Sequence, residues 1–171
     1  MKKRYSSRFL ARIVVALALL VCLIFTSCSP RGFDYPSSVS GGAQATLSGV
    51  WYGVQTEVSV YHSGGRDGDF SLIFLSGSLE GIVISRRDGK ISAAMGALAE
   101  KEFYDGGLCN VAHLFSPDEC TLVRRSSELG ILSARAGELE FFVTVDRSGA
   151  PASFNKGDDF SLTVTSFSRG K

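Results

Sequence analysis

The sequence predicts an all-β domain, a single antiparallel β-barrel or β-sandwich of about eight strands, which follows a signal peptide and a flexible tether. Short segments in which apolar and polar residues alternate recur from Leu47 to the end of the sequence. Clusters of Gly, Asp and Ser separate these segments at short intervals, and no long stretch has the period of a helix. Such spacing is typical of antiparallel sandwiches and barrels.

The chain divides into three parts by composition. Residues 1–27 form the predicted signal peptide, residues 28–44 the tether, and residues 45–171 the β domain. The tether is rich in Ser, Gly and Pro and lacks a structural period, which indicates a flexible spacer. Phe33 and Tyr35 are its two aromatic residues, and they are the side chains by which it would dock on the domain.

Within the domain, alternation predicts strands in most of the segments between turns. The turns are rich in Gly, Asp and Ser, as at 62–69 and 146–149. The predicted strands cover residues 50–61, 70–75, 79–86, 108–115, 121–125, 138–145 and 160–167.

Asp88-Gly89 is the strongest hairpin signal in the chain, because this dipeptide supplies the positive φ angles of a type I′ turn. The segment that follows it, 91–101, is ambiguous. Ala, Met, Leu, Glu and Lys favour a helix there, whereas Gly96 and the preceding hairpin favour a return strand. We expect a strand in its first half and leave the second half open.

The N-terminus has the features of an export signal. Five basic residues (Lys2, Lys3, Arg4, Arg8 and Arg12) precede thirteen uncharged residues, 13–25, a length typical of a signal and too short to span a bilayer. Phe25-Thr26-Ser27-Cys28 then resembles the lipobox of bacterial lipoproteins, except that Phe25 stands where Leu is usual. The resemblance implies cleavage before Cys28 and attachment of diacylglycerol to its sulfur.

Lipid at Cys28 would place the domain at the cell envelope, bound to a bacterial membrane and facing the periplasm or the exterior. Two or more acyl chains on one residue hold a protein firmly at a membrane surface. The alternatives are an uncleaved signal anchor and ordinary cleavage without lipid.

The charge of the exported part differs from that of the whole chain. Of the 18 basic residues, five precede Cys28, so thirteen remain against all 17 acidic residues, which gives a net charge of −4. A mildly acidic domain has no long-range attraction for nucleic acid, and we expect no nucleic-acid partner.

Two cysteines remain after Cys28, namely Cys109 and Cys120, and both lie in the predicted domain. Disulfides persist in exported proteins, and the two residues bracket the turn at Pro117. We therefore expect a Cys109–Cys120 disulfide across a hairpin, with two buried thiols as the alternative.

Gly49-Val50-Trp51-Tyr52 resembles the opening of lipocalins and related small barrels. The resemblance implies an eight-stranded barrel in which Gly49 and Trp51 lie at the closed end, next to a pocket for a small apolar ligand. The later segments typical of lipocalins do not appear in this sequence. The alternative is that Trp51 is an ordinary core aromatic residue.

The sequence contains no recognisable catalytic or metal-binding motif, so we expect no enzyme activity, no metal and no cofactor. His113 lies four residues from Cys109, about 13 Å away along a strand, which is too far for both to bind one metal ion. His62 lies in a turn. Three functions remain: an interaction module that binds an envelope or host protein, a lipocalin-like binder of a small apolar ligand, and an inhibitor of an envelope or host hydrolase.

Overall fold

The computed structural model describes residues 32–96, 98–100 and 107–170. These residues form one compact unit that begins at Gly32. The predicted signal peptide and Cys28 lie outside the described residues. Among the residues described, no helix is both long and apolar enough to cross a bilayer.

The domain is all-β, as predicted. Its described residues form a single antiparallel sheet and two very short helices, α1 (Tyr35–Val39) and α2 (Asn110–His113). The eleven strands are β1 (Ala43–Trp51), β2 (Val54–His62), β3 (Phe70–Gly77), β4 (Ile82–Arg87), β5 (Lys90–Met95), β6 (Leu98–Glu100), β7 (Glu119–Arg125), β8 (Leu129–Ala136), β9 (Leu139–Asp146), β10 (Pro151–Lys156) and β11 (Phe160–Arg169).

The sheet is open at both sides. Its strand order is β6-β5-β4-β3-β2-β1-β11-β10-β9-β8-β7, so β1 and β11 lie at the centre, and β6 and β7 lie at the edges. In the described part of the chain, β6 pairs only with β5 and β7 only with β8. The sheet is therefore not the closed eight-stranded barrel that the lipocalin resemblance implies. Irregular registers in β1, β2, β7 and β10 bend it.

The strand count exceeds the predicted eight partly because one predicted strand is a hairpin. Tyr52 and Gly53 have φ angles of +47° and +79°, and they turn the chain between β1 and β2 near the start of the predicted strand 50–61. A bulky aromatic residue is an unusual turn former, which hides this turn in the sequence. Asp88 and Gly89, with φ of +51° and +75°, form the predicted hairpin between β4 and β5.

One face of the sheet is the core. In β9, Leu139, Phe141, Val143 and Val145 are buried, which is the face that the alternation predicts. The two helices cover this face. Phe154 of β10 lies at its centre, with ring centroids of Tyr35, Phe115 and Phe141 at 6.0, 5.4 and 6.1 Å.

Helix α1 lies inside the region predicted to be a flexible tether, so that prediction is corrected for residues 33–44. Asp34 caps the helix by accepting a hydrogen bond from Ser37 N, and Pro36 fits its first turn. Phe33, Tyr35 and Val39 are buried. The two aromatic residues thus dock as expected, and the burial they contribute orders the segment, so the domain begins before residue 45.

Helix α2 replaces the predicted strand 108–115. Its segment precedes β7 and packs on β2 and β3, with Val111 and Ala112 buried. The hydroxyl of Tyr35 donates a hydrogen bond to the main-chain oxygen of Leu114, which joins the segments that contain the two helices. A segment as short as 108–115, with mostly apolar residues, does not show in its sequence whether it forms a short helix or a strand.

Candidate functional site

The residues that the lipocalin resemblance singles out pack at the end of the central strands. The Trp51 ring is buried and stacks on Phe160 at 4.5 Å between centroids. Gly49 faces the neighbouring strand so closely that a Cβ would lie 2.1 Å from the oxygen of Ser161. Neither residue lines the cleft beside α1 or the shallow cleft between β7, β8 and β9, and both contribute to the packing of β1 against β11.

The predicted disulfide is not present, since no bond joins the sulfurs of Cys109 and Cys120. The reason is that residues 108–115 do not form a strand of a hairpin with β7. Cys109 is instead the buried residue that precedes α2, and Cys120 is a partly buried residue of β7. Burial and the charge of Asp34 raise the pKa of the Cys120 thiol to about 11.

His62 is almost completely buried at the end of β2. Its Nδ1 accepts a hydrogen bond of 3.0 Å from Gly64 N, which fixes the start of the turn between β2 and β3. Burial, followed by the charges of Arg86 and His113, lowers the pKa of His62 to about 4. The histidine is therefore neutral at physiological pH and has a structural role in this turn.

A cleft of about 270 Å³ lies beside these elements, between α1, the β2–β3 turn and the segment that precedes β7. Its walls are mainly apolar, with Pro36 and Val39 from α1 and Phe115 and Pro117 from the opposite side. Ser116 also lines it, and its hydroxyl is buried without a hydrogen-bond partner among the described residues.

Two opposite charges flank the cleft. Arg66 Nη1 and Asp118 Oδ1 are 3.8 Å apart, with 71% and 29% of their side chains exposed. This separation is at the limit of an ion pair, and exposed pairs of this kind contribute little to stability. Both groups therefore remain available to a bound molecule, Arg66 as a donor and Asp118 as an acceptor.

Hydrogen bonds from Arg86 stabilise the β2–β3 turn that carries Arg66. The guanidinium of Arg86 donates hydrogen bonds to the main-chain oxygens of Gly68 and Arg66, and it lies 5.1 Å from the ring centroid of Phe70. Asp118 is held in a similar way, because its Oδ2 accepts from Gly137 N at 2.7 Å. The main chain at Arg66 and the carboxylate of Asp118 are thus held in place before any ligand binds. This favours binding of a ligand without rearrangement of the protein.

The cleft is small for a ligand site. Pockets for drug-sized molecules usually measure about 300–1,000 Å³, whereas this one holds about 270 Å³ and is open to solvent on one side. The inner face of the sheet holds the two helices and aromatic side chains where a lipocalin would hold its ligand. Across the described residues, no group of three or more His, Cys, Asp or Glu side chains could hold a metal ion. The arrangement suits a single apolar side chain with a peptide group beside it.

The cleft was not expected from the sequence. Its residues come from the predicted tether, from the polar turn 62–69 and from the turn at Pro117, where no periodic signal exists, and from Phe115 at the end of a segment predicted to be a strand. The aromatic residues of the tether were the one available sign, because an aromatic side chain in a polar spacer indicates docking.

Comparison of the sequence with protein-family models gave no match, and comparison with curated proteins gave none either. Among solved structures, the fold is similar to that of an uncharacterized conserved protein from Thermus thermophilus, with 17% identity and a TM-score of 0.50 over 80% of this chain and 83% of that chain.

MucB is also similar, with 18% identity and a TM-score of 0.48 over 84% of this chain and 60% of that one. A structure of the Pseudomonas aeruginosa MucA/MucB complex gives 16% identity and a TM-score of 0.42, with 78% and 54% covered. The chain thus spans little more than half the length of these MucB-containing matches. Likeness at such identities concerns the fold alone.

Proposed function

We propose that this chain is a lipid-anchored, non-enzymatic binding module of the bacterial cell envelope, and that it holds a protein partner through the cleft beside α1. Export and anchoring are supported by the basic N-terminus, the apolar stretch 13–25 and Phe25-Thr26-Ser27-Cys28. The domain then lies outside the cytoplasm, at the surface of a membrane.

The observation that carries the binding function is the combination of an apolar cleft with an exposed, weakly paired Arg66 and Asp118. A peptide presents one N–H and one C=O at each residue, together with a side chain. An apolar side chain would fill the space between Val39 and Phe115, while Asp118 accepts from the peptide N–H and Arg66 donates to the C=O. One deeply placed apolar residue is the usual anchor of such a contact.

A displayed heptapeptide library, selected on the full chain purified in detergent, tests this function. We expect enrichment of peptides that share one large apolar residue. Ser40→Arg tests the location, because Ser40 is exposed and lines the cleft. We expect it to reduce binding of the selected peptides at least tenfold.

Ser37→Arg is the matched control, since Ser37 is exposed on the same helix and does not line the cleft. It should leave binding unchanged. The proposal fails if the library yields no apolar consensus, or if the selected peptides bind the Ser40→Arg variant as well as the parent protein.

A further inference from the structure

We propose that the corner of the domain at which the chain enters the fold docks on the anionic surface of the membrane that holds the protein. This corner, called here the Phe33 corner, consists of Leu122, Val123, Arg124, Arg125, Leu129 and Arg147. The inference rests on the lipid at Cys28 in the proposed function, and it assigns an orientation to the anchored domain.

The first step is the length of chain between the lipid and the fold. Phe33 is fixed, because its N–H donates to Arg147 O, its ring lies against Gly130, and the Arg125 guanidinium lies 5.3 Å from the ring centroid. Cys28 is five residues away, so the chain between them reaches at most about 18 Å.

That reach is short compared with the domain. A compact domain of this length has a radius of gyration of about 14 Å, so its diameter exceeds the reach of the link. A lipid on Cys28 therefore keeps the Phe33 corner close to the headgroups, whereas the opposite side of the domain lies well away from them. A flexible tether over the whole of residues 28–44, as the sequence predicts, would have allowed any orientation.

The second step is the chemistry of this corner. Leu122, Val123 and Leu129 are 44%, 60% and 44% exposed. They lie near one end of the sheet's free edge, because β7 is an edge strand with a bulge between Leu122 and Arg124, and Leu129 begins the strand beside it. Exposed apolar side chains of this kind suit the boundary between headgroups and acyl chains.

The charges named at the corner are basic in sum, because Arg124, Arg125 and Arg147 stand against one carboxylate, that of Glu128. Arg124 and Arg125 are both exposed, and neither forms an ion pair within the described structure. Arg147 donates to Ser127 O and pairs with Glu128, and it keeps most of its side chain in solvent. Basic residues within a Debye length of anionic lipid are attracted to it, and this attraction offsets the overall acidity of the exported chain.

The test uses the lipidated full chain in vesicles of phosphatidylcholine and phosphatidylglycerol that contain a headgroup spin-labelled lipid. An environment-sensitive fluorophore is attached at Val123→Cys, or at Asp158→Cys in the exposed turn between β10 and β11. We expect the spin-labelled lipid to quench the fluorophore at position 123, more weakly at high salt, and to leave the one at position 158 unquenched.

Substitution of Arg124 tests the electrostatic part. Arg124→Gln should lower the ratio of docked to undocked protein about fivefold, as measured by quenching at position 123. Arg87→Gln is the matched control, because Arg87 is an exposed arginine at the end of β4, on the other side of the central strands from β8. It should have no effect.

The outcomes separate the two claims. Protein that does not float with the vesicles overturns the lipid anchor and the docking together. Protein that floats, but in which positions 123 and 158 are quenched equally or not at all, overturns the docking and leaves the anchor standing. Shielding of position 123 by a second protein in place of vesicles would identify the corner as a protein-binding surface and overturn the membrane assignment.

Discussion

The ring of Phe33 occupies the space that a side chain at residue 130 would fill. A Cβ on Gly130 would stand 2.7 Å from Cγ and Cδ1 of that ring. Gly130 lies on the core face of β8, so the absent side chain forms a socket for the aromatic ring. This contact turns the end of the predicted tether into part of the fold, and it fixes the point at which the chain leaves the domain towards Cys28.

Gly130→Ala tests the socket. The φ angle of Gly130 is not in the left-handed region, so the backbone tolerates alanine and the clash with Phe33 is the main effect. We expect the free energy of unfolding to fall by about 1–3 kcal/mol in denaturant titration. Gly41→Ala is the control, because no atom lies within 4 Å of a Cβ there. Equal stabilities of the two variants would contradict the socket.

Tyr35→Phe tests the link between the two helical segments. The variant removes the donor to Leu114 O and leaves that buried oxygen without this partner. We expect a loss of about 1–3 kcal/mol in the free energy of unfolding. Tyr61→Phe should change little, because Tyr61 is largely exposed. A Tyr35→Phe variant as stable as the parent would show that the hydrogen bond does not join the two segments.

How far the sequence predicts this fold depends on the length of each element. Long alternating segments such as β9 and β11 are predictable, because each buries one face and period 2 is visible over eight residues or more. Helices of four and five residues are too short to show such a period. Four of the five residues of α1, namely Pro36, Ser37, Ser38 and Val39, suit a loop equally well. The cleft depends on these helices, so it was not predictable either.

The stability of the domain should depend on pH through His62. Its pKa is about 4 in the folded protein and about 6.5 when unfolded, so the unfolded chain binds more protons between these values. The contribution of His62 to the free energy of unfolding is therefore fully present above pH 6.5. It is lost as the pH decreases towards 4, by up to about 3 kcal/mol. His62→Asn keeps an acceptor near Gly64 N and does not titrate. Denaturation at several pH values should therefore show a smaller decrease for this variant, and an equal decrease would assign the effect to other groups.

Cys120 should react slowly with alkylating reagents in the folded protein. Its pKa of about 11 leaves little thiolate at pH 8, and the thiolate is the reactive form. We expect iodoacetamide to modify Cys120 slowly at pH 8 and much faster above about pH 10 while the fold persists. In urea, where burial is lost, modification at pH 8 should be fast. Rapid modification of the folded protein at pH 8 would contradict the buried environment of this thiol.

Covalent lipid at Cys28 is the premise of both the envelope function and the docked orientation. The most direct measurement is mass spectrometry of the N-terminal tryptic peptide of protein extracted from membranes. We expect a peptide of residues 28–31 that begins with Cys28 and carries diacylglycerol on its sulfur, with or without an acylated amino group. A peptide that begins after Cys28, or one that extends before it with an unmodified thiol, would contradict the account.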